Sequence, residues 1–501
     1  MMTCPTAHFT TTTRGGPPHR RGVSGALGGI RMIAFAFALC GSAAAQDARD
    51  AVDTPDEEPP TFRLTIYRAS APHAALSLRL LPGYLERKPG NAAVLYNRLA
   101  NRIPQGDARR SKTDRFVGWS RTPLEELPLD KIRSELGEQR ELLADLRQAS
   151  RHEFCRWELA DRPGDYFSIP LPEVDAAIYS NRLLSLQARL QIAEGRFDDA
   201  IDTLKTGIAL ARHIGHHPTM VGALVGTANL RSMTGVVSEF VRQPNAPNLY
   251  WALTSLPTPL IDVRIAAEAE PHALEISFPE LRELDDDNRT AEYWNDVLDR
   301  LIGWIQNLND DPDSHEETRF AIALNAVKRF PSVKQALIDS GRSQREVDSM
   351  PTSRVILLAA LRSYRRRRDD LYKQLLVPIG QANSGEVSSL NSEIGDVDAD
   401  DILLTSTTFP AVDAYHLAAT KCDREVAIFR IVEALRLHAE NRGKLASSLA
   451  EITEVPIPLD PVTGGPFVYR IEDGFAMLEA PLPVKMTKRE HGYRLWIDLA
   501  P

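Results

Sequence analysis

Cysteine is scarce in this chain, and its scarcity limits how the fold can be held together. The 501 residues include four cysteines, and beyond the first 45 positions the chain retains Cys155 and Cys422. Two cysteines cannot form the dense disulfide framework that stabilises small secreted domains. Two interpretations of this pair stay open: one long-range disulfide bridge, or two separate buried thiols.

The short motifs that mark common enzyme classes are also missing. The sequence has no HExxH, GxSxG, GxxxxGK[ST] or CxxC, and no GxGxxG after a strand, so it lacks the usual local signatures of hydrolases, nucleotide-binding enzymes and redox enzymes. His213, His216 and His217 lie together and could hold a metal, but cationic side chains at a helix C-terminus are favourable without one. We therefore predict no catalytic, cofactor-binding or metal-binding residues and favour a non-enzymatic role.

The chain also has no excess of basic residues over acidic ones. The chain contains 59 lysines and arginines against 68 aspartates and glutamates, which gives a net charge of −9. Residues 1–45 contain four arginines and no acid, so the rest of the chain carries −13. Because nucleic-acid binding requires a basic face, we expect no nucleic-acid partner.

The N-terminus has the pattern of an export signal. An apolar run over residues 32–40 follows the four arginines and is too short to span a bilayer comfortably. The next residues, Gly-Ser-Ala-Ala-Ala, fit cleavage by a signal peptidase before Gln46. We predict a signal peptide over 1–45 and export to the periplasm, the cell envelope or the outside, with membrane contact only through an uncleaved signal. The acidic, proline-containing residues 46–60 predict a disordered linker.

The clearest helical pattern lies in residues 181–214. Apolar residues recur at the spacing of one helix face in each half, namely Leu183, Leu186, Leu190 and Ala193, then Phe197, Ile201, Leu204 and Ile208. Glu194-Gly195-Arg196 predicts a turn between two antiparallel helices. This helix pair resembles a tetratricopeptide repeat, and such repeats stack into arrays that bind protein partners. We predict a mainly α-helical fold with a tetratricopeptide-like array over residues 61–380.

The same resemblance provides the residue-level binding prediction. Tetratricopeptide repeats bind peptides or proteins on the concave face made by each first helix. Arg182, Ser185 and Arg189 share one side of that helix by their i, i+3, i+7 spacing. We predict that these three residues contact a protein or peptide partner, with an ordinary solvated polar face as the alternative.

The chain changes character in its C-terminal part. The polar, acidic residues 381–402 predict a flexible loop between two domains. The pattern over 412–441 predicts a long helix ended by Gly443, and turn residues and short strand patterns follow. Residues 403–501 are therefore predicted to form a long helix with a small antiparallel sheet. Their order of long helix, Asp-Pro and Thr-Gly-Gly-Pro-Phe (463–467) resembles the globular end of pseudopilins of type II secretion.

A wider resemblance extends over most of residues 75–480. The segments RLQIAEGRFDDAI, QPNAPNLYWALTSLPTPLID and DREVAIFRIVEALRLHAENRGKLASSL resemble a group of secreted helical proteins of planctomycete type, which implies an exported helical protein but no activity. We hypothesise an exported, non-enzymatic helical-repeat scaffold for protein–protein interaction in the periplasm or cell envelope. The alternatives are an exported hydrolase with a non-local active site and a pseudopilin-like secretion component.

Overall fold

A computed structural model describes residues 61–159, 166, 169–285, 289–308, 315–377, 410–480 and 493–500. Most of these residues are helical, and the strands form a four-stranded and a two-stranded sheet. The predicted mainly α-helical fold with a small sheet is confirmed. No helix within the described ranges is both long and apolar enough to cross a membrane. The predicted signal peptide (1–45), linker (46–60) and acidic loop (381–402) lie outside the described residues.

The N-terminal part combines short strands with four helices. These elements are β1 (Thr61–Ile66), β2 (Lys88–Asn91), α1 (Ala92–Ala100), α2 (Gly106–Arg121), α3 (Leu129–Glu138), α4 (Arg140–Ala149) and β3 (His152–Phe154). The sequence pattern predicts one amphipathic helix over about 129–152, and the structure divides it at Gln139, whose φ of −99° and ψ of 12° are not helical. β2 and β3 pair in parallel.

Three long helices form the centre of the molecule. They are α5 (Pro172–Ala193), α6 (Phe197–Gly215) and α7 (Met220–Val241), and each packs against the other two. The pattern places the start of α7 at Pro218, whereas the structure begins it at Met220, because the Thr219 hydroxyl accepts a hydrogen bond from Gly222 N at 3.1 Å and caps the helix.

The predicted turn between α5 and α6 is confirmed in detail. Arg196 N donates to Gln191 O at 2.8 Å and Gly195 N donates to Ile192 O at 2.9 Å, which is the Schellman pattern. Gly195 has a φ of +70°, a left-handed conformation that glycine adopts without a Cβ clash.

The helix α5 is enclosed on all sides. Of its 22 residues 17 are buried, and it contacts α1, α2, α3, α4, α6 and α7. A helix that is buried on every face lies in the interior of a domain and not on its surface, even though the buried residues of α5 include polar ones such as Glu173, Asn181 and Arg189. In a solenoid, by contrast, each repeat contacts only its neighbours. The contacts of α5 therefore do not confirm the predicted tetratricopeptide-like array.

The middle of the chain is helical as predicted. It contains α8 (Tyr250–Thr254), α9 (Arg264–Ala269), α10 (Ala273–Ser277), α11 (Ala291–Leu308), α12 (His315–Asp339), α13 (Gln344–Ser349) and α14 (Thr352–Leu375). The sequence predicts one apolar stripe on α11, formed by Trp294, Val297, Leu298, Leu301 and Ile305. In the structure Leu298 is half-buried and the other four are buried.

The C-terminal part contains the predicted long helix and strands. These are α15 (Pro410–Arg442), β4 (Val468–Glu472), β5 (Phe475–Ala480) and β6 (Tyr493–Leu499), and Gly443 ends α15 with a φ of +77°. The strand order is β1-β6-β5-β4. β4, β5 and β6 are antiparallel neighbours, whereas β1 pairs with β6 in parallel from Thr61 opposite Arg494 to Ile66 opposite Leu499. The first strand of the predicted helical domain thus completes the C-terminal sheet.

Candidate functional site

The structure places the predicted partner-binding residues largely in the interior. Arg189 is 3% exposed and Ser185 is 7% exposed, whereas Arg182 is half-buried, and burial lowers the pKa of its guanidinium. Arg189 donates from Nε to Glu239 Oε2 (2.7 Å) and from its two Nη atoms to Trp119 O and Thr122 O (both 2.6 Å). Partner binding by these three residues stays a prediction, and two of them lie where a partner would not reach them directly.

Arg189 borders a cleft of about 520 Å³ between the end of β1, the segment after α2 and the C-terminal end of α7. Its guanidinium satisfies the last carbonyl groups of α2, where basic side chains often serve as caps. The function of Arg189 in this cleft is therefore to hold α2 against α5 and α7.

A second groove of about 480 Å³ lies between the α3–α4 segment and the α5–α6 pair. We call it the arginine groove. Its charged lining consists of Arg133, Arg140, Arg147, Arg196, Asp199 and Asp202, so arginine outnumbers aspartate two to one in a chain that is acidic as a whole. Its floor includes the buried side chains of Leu136, Leu143, Leu184 and Leu190. The groove thus combines an apolar floor with a cationic rim.

Three of the arginines follow a regular spacing along one wall. Arg133, Arg140 and Arg147 are seven residues apart, and all three line the groove, Arg133 from α3 and the other two from α4. At a helical rise of 1.5 Å per residue, Arg140 and Arg147, which both lie in α4, are separated by about 10.5 Å along its axis, whereas Arg133 lies in α3, before the non-helical Gln139. The opposite wall contributes the side chains of Gln191 and Thr203, which are hydrogen-bonded at 2.8 Å.

Ion pairs connect the two walls at the ends of this row. Arg133 Nη2 lies 2.7 Å from Glu194 Oε1, and Arg147 Nη2 lies 2.7 Å from Asp202 Oδ2. Partial burial acts against ionisation of Glu194, but the hydrogen bonds from Arg133 and Arg196 lower the pKa of this carboxyl. The first bridge connects α3 to the end of α5 and the second connects α4 to α6.

Arg140 differs from its two neighbours in the row. It is exposed, and it makes no ion pair or hydrogen bond with the residues that the structure describes. A guanidinium presents a planar set of donors that matches a carboxylate. Within the described part of the chain, Arg140 is therefore an unpaired cation at the centre of the groove, and Arg133 and Arg147 on either side of it are already paired.

The histidines at the end of α6 serve the interior. Tyr96 Oη lies 3.0 Å from His213 Nδ1, and His217 lies 3.1 Å from Glu173 Oε1 through Nε2 and 2.8 Å from Thr219 Oγ1 through Nδ1. Burial, with the charges of His216 and Arg212, lowers the pKa of His213 to about 3. Over the described part of the chain, no three histidine, cysteine, aspartate or glutamate side chains come together as metal ligands.

The structure decides between the two interpretations of the cysteine pair, a disulfide bridge or two separate thiols. Cys155 and Cys422 are both buried thiols, so the pair forms no disulfide bridge. Burial raises the pKa of the Cys155 thiol well above its usual range. This residue is therefore a protonated, unreactive core thiol.

Sequence reasoning missed the arginine groove, although a signal for it exists. The seven-residue spacing of Arg133, Arg140 and Arg147 is readable in the sequence, but the residues that face them come from α5 and α6, whose placement requires the fold. No family model, no curated protein and no solved structure matches this chain.

Proposed function

We propose that this protein is an exported, non-enzymatic interaction scaffold and that the arginine groove binds an acidic segment of a protein partner. The observation that carries the proposal is the row of three arginines beside an apolar floor, with the exposed Arg140 at its centre. Carboxylates are the groups that a guanidinium binds best in a protein partner.

We propose tetratricopeptide-like binding for this one groove and not for a stacked array of repeats. Helical repeats bind partners in a concave surface between successive helices. In the same manner, α3–α4 and the α5–α6 pair form two walls, and α5 provides the floor through Leu184 and Leu190. We therefore propose a tetratricopeptide-like binding mode in which α5 supports the groove from within.

The spacing of the arginines indicates the form of the partner. An extended peptide advances about 3.3 Å per residue, so carboxylates three residues apart are separated by about 10 Å. This length matches the axial separation of about 10.5 Å between Arg140 and Arg147 in α4. We therefore expect an extended segment with acidic residues at positions i, i+3 and i+6 and small apolar residues between them.

Peptide binding tests this function directly. A labelled nine-residue peptide with glutamates at positions 2, 5 and 8, and alanine or serine elsewhere, is titrated with the purified protein and followed by fluorescence anisotropy. We expect saturable binding that weakens by about tenfold or more in Arg140→Glu, because a repulsive charge then replaces the available cation. The same peptide with its three glutamates adjacent should bind more weakly.

Arg110→Glu is the matched control. Arg110 lies on the exposed surface of α2, where its side chain is 83% exposed, so this variant makes the same charge change outside the groove. Equal loss of binding in both variants would show that net charge, and not the groove, attracts the peptide. Tighter binding of a single-stranded oligonucleotide than of the peptide would contradict a protein partner.

A further inference from the structure

A separate pocket of about 220 Å³ lies beside the middle of the long helix α15. One side is formed by α8 and the segment that follows it to Leu260, and another by residues 458–461. Apolar residues form part of the lining, namely Leu253, Leu256, Pro257, Val426, Ala427 and Pro458, and polar atoms provide slightly more than half of its surface. Neither the arginine groove nor the Arg189 cleft shares a lining residue with this pocket.

Two side chains of opposite charge flank the apolar part of the pocket. Asp423 and Arg430 both line it and lie on one face of α15, seven residues apart, with Val426 and Ala427 between them. Their backbones are therefore separated by about 10.5 Å along the helix axis. This separation explains why they do not form an ion pair with each other.

The guanidinium of Arg430 is held in place without a full set of acceptors. It lies 5.7 Å from the centre of the Tyr250 ring, a cation–π arrangement. Its Nε atom is buried and has no hydrogen-bond acceptor among the described residues. Because Arg430 lines the pocket and its guanidinium is always charged, an anionic group at this end of the pocket would be favourable.

The carboxyl group of Asp423 marks the other end. Among the described residues, it accepts one hydrogen bond, from Leu260 N at 3.2 Å, so oxygen lone pairs remain for a further donor. Burial raises the pKa of Asp423 to about 6, against the lowering effect of that hydrogen bond. A cationic group beside Asp423 would favour its ionised form.

We propose that this pocket binds a short aliphatic peptide of about dipeptide length, with its α-carboxylate at Arg430 and its α-ammonium at Asp423. Two extended residues span about 7 Å, and the long Arg430 side chain leans toward the helix N-terminus, which shortens the distance to Asp423. The pocket is smaller than the range of about 300–1,000 Å³ that holds drug-sized ligands. A dipeptide places its aliphatic side chains against the leucines and prolines between the two charged ends.

Calorimetric titration with leucyl-leucine tests the assignment of both ends. We expect saturable binding by the full protein, with a loss of about tenfold or more for the N-acetylated and for the C-amidated dipeptide. In Asp423→Asn, N-acetylation should no longer matter while amidation still does. In Arg430→Gln, amidation should no longer weaken binding, whereas N-acetylation still should. The reason is that each substitution removes the partner of one end of the dipeptide only.

Arg442→Gln serves as the control, since Arg442 is an exposed residue at the end of the same helix. Thermal unfolding of each variant identifies loss of folding, and the full dipeptide should still bind each variant weakly. Absence of leucyl-leucine binding to the wild-type protein would overturn the proposal. So would binding of free leucine as tightly as the dipeptide, because one amino acid cannot reach both ends. The arginine groove is tested with different ligands, so the two proposals fail independently.

Discussion

At the scale of single residues, one strongly perturbed acidic side chain has a structural explanation. Glu270 Oε2 accepts a hydrogen bond from Met220 N at 2.5 Å, at the first residue of α7. An anion is favourable at a helix N-terminus. Burial nevertheless dominates the hydrogen bonds from Met220 and Tyr372 and raises the pKa of Glu270 to about 7. The carboxyl group is therefore protonated in the folded protein at pH values where it would be ionised in the unfolded chain.

This raised pKa predicts a defined pH dependence of stability. The unfolded glutamate has a pKa of about 4.3, so between about pH 4.3 and pH 7 the folded state binds more protons than the unfolded state. The free energy of unfolding should therefore decrease as pH rises through this window. Glu270→Gln removes the effect, since an amide does not titrate and can still accept the Met220 hydrogen bond.

The measurement is urea unfolding at pH 4.5, 6 and 7.5. The free energy of unfolding of Glu270→Gln relative to wild type should increase across this series and change little above pH 7.5. The exposed Glu268 offers the control, because Glu268→Gln removes a carboxylate nearby without removing a buried one. A difference between Glu270→Gln and wild type that stays constant with pH would contradict the explanation.

At the scale of helices, the contact between α6 and α7 depends on glycine. A Cβ atom at Gly226 would lie 2.5 Å from both N and Cα of Gly215 and 2.7 Å from Ala211 O. These are backbone atoms of the neighbouring helix and cannot rotate away. The close packing that the one-turn spacing of Gly222 and Gly226 suggests is thus present between two interior helices of the protein.

Gly226→Ala should therefore destabilise the protein by about 3 kcal/mol or more, at the upper end of the range typical of overpacking, because α6 and α7 would have to separate. A Cβ atom added at Gly235, in the same helix, would meet no atom within 4 Å. Gly235→Ala should be neutral or stabilising by about 0.5–1 kcal/mol, since alanine is the better helix former. Chemical denaturation of the two variants checks both values, and equal effects would argue against the close helix contact.

The sequence predicts local structure in this protein much better than it predicts partners in space. The apolar spacing in 181–214 and Gly195 specify the helix pair and its turn, because both signals are local. The polar residues Arg182, Ser185 and Arg189 on α5 give no such local signal, because their neighbours come from other parts of the chain. Arg189 looks like a surface residue in the sequence, yet its partners are carbonyl groups of Trp119 and Thr122, about 70 positions away. Only the fold shows that α2 covers this face.

At the scale of the whole molecule, distant parts of the chain meet at one buried arginine. Arg436 of α15 is fully buried and donates to Tyr67 O (2.9 Å), just after β1, and to Ala246 O (2.7 Å), in the segment after α7. Its other guanidinium nitrogen lies 2.9 Å from Glu433 Oε2. Asn248 Nδ2 donates to Glu433 O at 2.8 Å and fixes the same segment to α15. The parallel pairing of β1 with β6 thus has a second attachment in the helical core.

Arg436→Met should cost about 3–5 kcal/mol of unfolding free energy, because it leaves Glu433 as an uncompensated buried charge and removes the donors to the carbonyl groups of Ala246, which is buried, and Tyr67, which is partly buried. The double variant Glu433→Gln with Arg436→Met should recover part of this loss. An uncharged amide is less unfavourable to bury alone than a carboxylate, and it keeps an acceptor for the hydrogen bond from Leu249 N. Guanidinium unfolding of the two single variants and the double variant gives the coupling energy. If the double variant is as unstable as Arg436→Met, the unpaired charge is not the source of the loss, and the carbonyl groups of Tyr67 and Ala246 are what Arg436 stabilises.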